Sequence, residues 1–192
     1  MKILIGVIAT DYIRVKTTAT LFSLAKMYPA ADLLVKQGCY IHKNRQNVAD
    51  YAIEKNYDYL FFVDSDMCFA AEVLQRLIQD DKEIVGAHYN MRHFPLTSVN
   101  KIADENNKLI AKTFTEAPRG LFKVHALGTG CMLIKVPAFQ KIPKPWFWYG
   151  DINDPKSYTG EDIHFCRQAK LAGIDSWCNG NLEVGHEGSY IY

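Results

Sequence analysis

Tyr59-Leu60-Phe61-Phe62-Val63-Asp64-Ser65-Asp66 is the stretch from which the rest of the chain is read. Its first five residues are an unbroken aromatic, aliphatic and β-branched run, the pattern of a strand covered on both faces, as in a parallel sheet. The run stops abruptly at two carboxylates. In an open α/β sheet, ligands bind beyond the carboxyl ends of the strands, so Asp64 and Asp66 stand where chemistry is done. Two carboxylates at i and i+2 on extended backbone can grip one hard divalent cation, or divide the work between a metal and a ribose hydroxyl. Oxygen donors of this kind select magnesium or manganese over softer ions. The same tripeptide also suits a turn or a cap for the next helix, because aspartate and serine favour both. Taken alone, it leaves these readings open.

On the amino-terminal side, residues 3–8 read as a buried strand followed by a loop through Tyr12-Ile13-Arg14. A helix is predicted over 17–27, with Leu21, Leu24, Ala25 and Met27 largely on one side. Residues 32–35 form a second strand, and 47–55 a helix whose stripe is Val48, Ala49, Ala52 and Ile53. On the carboxyl-terminal side come a helix over 71–78 and a buried strand over 84–87. A polar excursion then occupies 90–125, with 108–111 a hairpin arm after the turn-prone Asn106-Asn107. Alternation resumes with a strand at 131–136, the aromatic cluster Pro145-Trp146-Phe147-Trp148-Tyr149-Gly150, and a helix over 161–172 closed by Gly173. Short strands at 175–178 and 182–184 complete the pattern. Strands alternating with helices imply an α/β fold, a mostly parallel, Rossmann-like sheet flanked by helices with a small β excursion.

At 192 residues, with 48% hydrophobic and 22% charged residues, the chain has the size and composition of a single soluble domain, 1–192. Lysine plus arginine (22) nearly balances aspartate plus glutamate (21), so no general field draws it to nucleic acid or anionic lipid. The apolar start, 2–9, runs into Thr10-Asp11 without a cleavage site and reads as a strand, and no stretch is long enough to span a bilayer. Five scattered cysteines without a C-x-x-C pair indicate neither a zinc site nor a disulfide framework, and a cytoplasmic setting is expected.

Two further elements carry chemistry. Thr159-Gly160-Glu161-Asp162 places two carboxylates at a helix start, where the helix dipole stabilises negative charge and Thr159 is a candidate cap. His186 lies between Gly185 and Glu187-Gly188, small neighbours that permit close approach of a ligand. Taken in order, the strand ending in Asp64-Ser65-Asp66, the strand start Gly128-Thr129-Gly130-Cys131-Met132-Leu133-Ile134, the segment Gly160-Glu161-Asp162-Ile163-His164-Phe165-Cys166 and the tail Val184-Gly185-His186-Glu187-Gly188 resemble the GT-A glycosyltransferases, in particular the family-2-like enzymes with a DxD motif. The resemblance runs from about residue 3 to 188, and the excursion at 90–125 has no counterpart in it.

The resemblance implies a metal-dependent transferase moving a sugar from a nucleotide-diphosphate sugar, a UDP-sugar above all, to a hydroxyl-bearing acceptor; 192 residues without a membrane span fit a bacterial or viral source. The nucleotide-binding half would be about 1–89 and the acceptor and catalytic half about 90–192. It implies that Asp66 and His186 hold Mn2+ or Mg2+, with Asp64 on the ribose or on the metal through water. Asp162 becomes the base that takes the acceptor proton in an inverting displacement, and Glu161 orients the acceptor. Ala9, Thr10, Asp11 and Tyr12 at the end of the first strand, with Ser65 and Arg45, become nucleotide contacts, Arg45 lying before the second helix. Trp146, Trp148 and Tyr149 are candidates for a stacking wall; His88, Arg92, His93 and Arg119 are candidates for phosphate or acceptor contacts, without a spacing that separates them. The alternatives are a catalytically inactive nucleotide-sugar-binding module and a phosphohydrolase with Asp64 as nucleophile, though there the motif usually ends the first strand. A pyrophosphorylase would want a glycine-rich basic loop in place of Ala9-Thr10-Asp11-Tyr12. Specificity would lie in the loops 90–125 and 145–159.

Overall fold

The computed structural model describes residues 1–103, 109–111, 119–150 and 159–188. Strands β1 (Ile3–Ala9), β2 (Asp32–Gln37), β3 (Tyr59–Asp64), β5 (Ile84–Ala87), β8 (Leu121–Val124), β9 (Cys131–Lys135) and β10 (Ser176–Asn179) form one sheet in the order β2-β1-β3-β9-β5-β10-β8. Five of the seven point the same way, while β9 and β8 run against their neighbours. Helices α1 (Val15–Met27), α2 (Ile41–Glu54), α3 (Glu72–Gln79) and α4 (Glu161–Leu171) flank it. Beside it stand two small sheets: β4 (Met67–Phe69) with β11 (Val184–His186), and β6 (Lys101–Ala103) with β7 (Leu109–Ala111).

Alternate residues of each strand feed opposite cores, as the two-residue period of a pleated strand demands. Leu4, Ile8, Leu60 and Phe62 face Val48, Ala49 and Ala52 of α2 and Phe165 and Ala169 of α4. Ile3, Ile5, Val7, Phe61 and Val63 face Leu21 and Leu24 of α1 and Leu74 and Leu77 of α3. Phe61 and Phe62 are both wholly buried, on opposite faces, each contributing about 2–3 kcal/mol of transfer free energy. This double burial is what the apolar run announces, and it fixes where the strand ends and the polar site begins.

Several expectations are corrected. In α1 the buried stripe is Thr17, Thr20, Leu21 and Leu24, whereas Ala25 and Met27 are exposed: the threonine methyl groups extend the stripe toward the amino terminus. Helix α2 begins at Ile41 rather than near 47, so Arg45 lies inside it; the polar run His42-Lys43-Asn44 disguises its first turn. Within the excursion, β8 joins the main sheet as its antiparallel edge beside β10. The arm at 109–111 pairs with Lys101–Ala103, while Asn106, Asn107 and Lys108 lie outside the described residues. The last strand is Val184–His186 and includes the histidine. At the close of α4, Gly173 has φ of +81°, the left-handed cap expected of it. Among the described residues no helix is long and apolar enough to cross a membrane.

Candidate functional site

A cleft of about 450 Å³ opens at the carboxyl ends of β1 and β3. Of the eleven residues singled out for the site, ten line it: Thr10, Asp11 and Tyr12; Arg45; Asp64, Ser65 and Asp66; Glu161 and Asp162; and His186. Ala9 is the exception. Its side chain is buried in β1, and its carbonyl accepts a hydrogen bond from Gly38 N at 3.0 Å.

The turn after β3 directs its two aspartates to different partners. Ser65 N donates to the Ile8 carbonyl (3.1 Å) and Arg14 N to the Ser65 carbonyl (2.8 Å), tying the turn to the end of β1. Asp64 accepts from Arg45 Nη2 at 2.8 Å, and Arg45 Nε donates to Glu161 Oε1 at 3.1 Å. A buried guanidinium thus bridges the β3 terminus and the start of α4, with its Nη1 buried and unbonded among the described residues. Burial holds the Asp64 carboxyl above the ordinary carboxylate range against the downward pull of Arg45. Two nitrogens of Arg45, which the resemblance makes a nucleotide contact, are committed to carboxylates.

Asp66 faces His186. Strand β4 continues straight from the turn and pairs antiparallel with β11, setting Met67 opposite His186. Thr20 Oγ1 of α1 locks β4 in place, donating to the Phe69 carbonyl (3.0 Å) and accepting from Phe69 N (3.1 Å). His186 Nε2 therefore lies 3.4 Å from Asp66 Oδ2. Its Nδ1 lies 2.9 Å from the Asn90 carbonyl, which only accepts, so Nδ1 carries a hydrogen. In the neutral ring this leaves the Nε2 lone pair facing a carboxylate oxygen. A cation bound by both, or a second ring proton, makes that arrangement favourable.

The donor set fits a divalent metal. Five carboxylates line the cleft (Asp11, Asp64, Asp66, Glu161, Asp162) against three guanidiniums (Arg14, Arg45, Arg92), an excess of two negative charges. Among the described residues no group of three or more His, Cys, Asp or Glu side chains is gathered as a ligand set. One carboxylate and one imidazole, Asp66 and His186, leave most of a divalent cation's coordination shell to water and to substrate phosphates. Burial raises the Asp66 carboxyl, but the His186 contact and Arg92 outweigh it and hold it below the ordinary range. Arg92 Nη1 sits 2.9 Å from the same Oδ2.

Asp162 differs from its neighbours. Burial first, and the charge of Glu161 second, push its carboxyl up to about 6. Among the described residues it has no guanidinium partner; Oδ1 accepts from Ile163 N at 2.7 Å. The cap of α4 is Gly160 rather than Thr159, and a Cβ at Gly160 would come within 2.6 Å of Asp162 Oδ1.

Residues that sequence reasoning missed include Tyr89, placed by the carboxyl-end rule just beyond β5. Gly130 N donates to its Oη at 2.9 Å, and Cβ atoms on Gly128 and Gly130 would lie only 2.4 and 2.7 Å from that oxygen. The Gly-Thr-Gly turn is thus a seat for Tyr89, with Thr129 lining the cleft between the glycines. Trp146 belongs to the core, 3% exposed with Nε1 donating to the Ile142 carbonyl, and not to a stacking wall. Trp148 and Tyr149 are exposed, and Tyr149 reaches the cleft. Of the four candidates for phosphate or acceptor contacts, only Arg92 lines this cleft; His88 lies against Ser98 and His93 against Thr97.

No family model and no curated protein matches the chain. Among solved structures it is similar to A197 from STIV, with a TM-score of 0.68 and 16% identity over 98% of this chain and 87% of that one. It is similar to GalNAc-T7 in a structure with UDP, GalNAc and Mn2+, with a TM-score of 0.56 and 12% identity, covering 96% of this chain and 43% of that one. S. aureus TarS 1-349 gives a TM-score of 0.53 and 15% identity, covering 97% of this chain and 60% of that one. GalNAc-T7 and TarS are GT-A glycosyltransferases, and at these identities the likeness is one of fold. The sheet order, the flanking helices and these neighbours together identify the chain as a protein with a GT-A-like fold.

Proposed function

We propose that the chain is a metal-dependent glycosyltransferase that moves a sugar from a nucleotide-diphosphate sugar, a UDP-sugar in the first instance, to an acceptor hydroxyl with inversion. The observation that carries this reading is the convergence in one cleft of the Asp66 and His186 pair with Asp162, a carboxyl of raised affinity for protons. Asp66 and His186 would hold Mn2+ or Mg2+, which when bound neutralises charge developing on the leaving diphosphate. Thr10, Asp11 and Tyr12 would contact the nucleotide from the end of β1, with Asp64 and Ser65 beside the ribose. Asp162 would take the acceptor proton: a carboxylate whose pKa lies near 6 is still ionised at neutral pH yet basic enough to serve. Glu161, fixed by Arg45, would orient the acceptor. Residues 1–89 supply the donor half of this arrangement and 90–192 the acceptor half.

Release of nucleoside diphosphate from a panel of nucleotide sugars, with Mn2+ and with acceptors supplied, tests the reading. Asp66→Ala abolishes Mn2+-dependent donor binding if the assignment is right; unchanged Mn2+-dependent affinity in that variant removes Asp66 from the metal site. Donor binding without release under every condition would make the chain a nucleotide-sugar-binding module.

A further inference from the structure

Arg92 and His186 compete for one oxygen. Asp66 Oδ2 lies 2.9 Å from Arg92 Nη1 and 3.4 Å from His186 Nε2, so the guanidinium is bound to the very oxygen that faces His186 and that a metal shared with it would use. The two contacts differ in how they are held. His186 is fixed by β11, by the Asn90 carbonyl and by the edge of the Tyr89 ring at 5.5 Å. Arg92 is half exposed, on a loop whose base is fixed by Met91 N to the Thr97 carbonyl (2.9 Å) and Val99 N to the Tyr89 carbonyl (3.1 Å). Its contact with Asp66 is made by the guanidinium at the end of the side chain, not by that base. It lines both the site and an adjoining cleft of about 600 Å³, as does Arg14.

We propose that Arg92 is a tethered placeholder for the metal: it neutralises Asp66 in the free protein, is displaced when a divalent cation binds Asp66 and His186, and then binds the diphosphate of the donor. This rests on the metal-dependent transferase reading above and adds to it a coupling between the two ligands. A divalent ion at Asp66 repels the guanidinium and leaves its charge unmatched. The donor's diphosphate offers the paired oxygens to which a planar guanidinium binds with two parallel hydrogen bonds. Metal and nucleotide then each favour the other, because displacement of Arg92 is a cost to the metal alone and a gain once phosphate is present. Arg14 stays on the same rim throughout, with its backbone bonded to Ser65.

The test compares wild type with Arg92→Gln and Arg92→Lys. Mn2+ affinity without nucleotide is measured by titration calorimetry, and UDP affinity with and without Mn2+ by the same means. In Arg92→Gln, Mn2+ alone binds about fivefold more tightly, the scale of a half-exposed ion pair removed as a competitor. UDP in the presence of Mn2+ binds about tenfold more weakly, on the scale of a lost charge-assisted contact. The factor by which each ligand tightens the other falls accordingly. Arg92→Lys keeps the charge without the planar fork, and restores the weak Mn2+ affinity but not the full UDP affinity. If wild type binds Mn2+ and Arg92→Gln binds it no more tightly, the placeholder role is overturned while the transferase reading stands. If wild type binds no Mn2+ and UDP binding is indifferent to it, both fall.

Discussion

Replacing Arg45 by methionine removes a guanidinium that joins β3 to α4. The side chain is 3% exposed and contacts Asp64 at 2.8 Å and Glu161 at 3.1 Å. Methionine fills much of the same volume, so the chief effect is electrostatic: two partly buried carboxylates of the cleft wall are left with their shared cation gone. Breaking a buried ion pair from one side costs about 3–5 kcal/mol. For a chain of this length that corresponds to a fall in Tm of roughly 6–20 °C. The sign of the pH dependence follows. Burial already holds Asp64 above its ordinary range, and Arg45 opposes that rise. Without Arg45 the folded-state pKa of Asp64 climbs further above the unfolded value, so the penalty is full at high pH and fades as Asp64 takes up a proton on acidification. Urea unfolding at about pH 8 and at about pH 5 measures the gap between wild type and Arg45→Met, which narrows at the lower pH. Neutralising the partners in Arg45→Met/Asp64→Asn/Glu161→Gln recovers much of the loss. A destabilisation below about 1 kcal/mol would refute the bridge as a structural element, as would a gap independent of pH or a triple variant no more stable than the single one.

Asp162→Asn leaves donor and Mn2+ binding intact and lowers transfer by about 10²–10⁴-fold, the usual contribution of a positioned base, as measured by single-turnover product formation. In the wild type, kcat/KM falls as pH drops through about 6, since the base is lost on protonation, and this limb is absent from Asp162→Asn. Gly130→Ala puts a methyl group 2.7 Å from the buried Tyr89 Oη, and the clash costs about 1–3 kcal/mol in urea unfolding; an unchanged stability would show that Tyr89 moves freely.

The strands and helices that build this sheet were legible because their signals are local. The run from Tyr59 to Val63 must be covered on both faces, and the apolar spacing of α3 and the glycine after α4 mark helices directly. Boundaries failed where polar residues serve a helix: Arg45 sits in α2 because its charge is matched by Asp64 and Glu161, which are distant in sequence. Trp146 and Tyr149 lie in one aromatic cluster, yet one is core and the other reaches the cleft. That difference is made by Ile142 and the packing beneath, not by composition.

An alternating α/β chain and three polar segments at the ends of its elements, Asp64-Ser65-Asp66, Glu161-Asp162 and His186, are readable from the order of residues alone, since residue type and period suffice for that. How they are partnered depends on the folded arrangement. The pairing of β4 with β11 brings His186 to Asp66, and the burial of Arg45 turns Asp64 toward Glu161. The turn that leads into the reversed strand β9 carries the glycines that seat Tyr89. Each of these contacts joins residues far apart in the chain, and their geometry is set by strand register and packing, which no local pattern of side chains encodes.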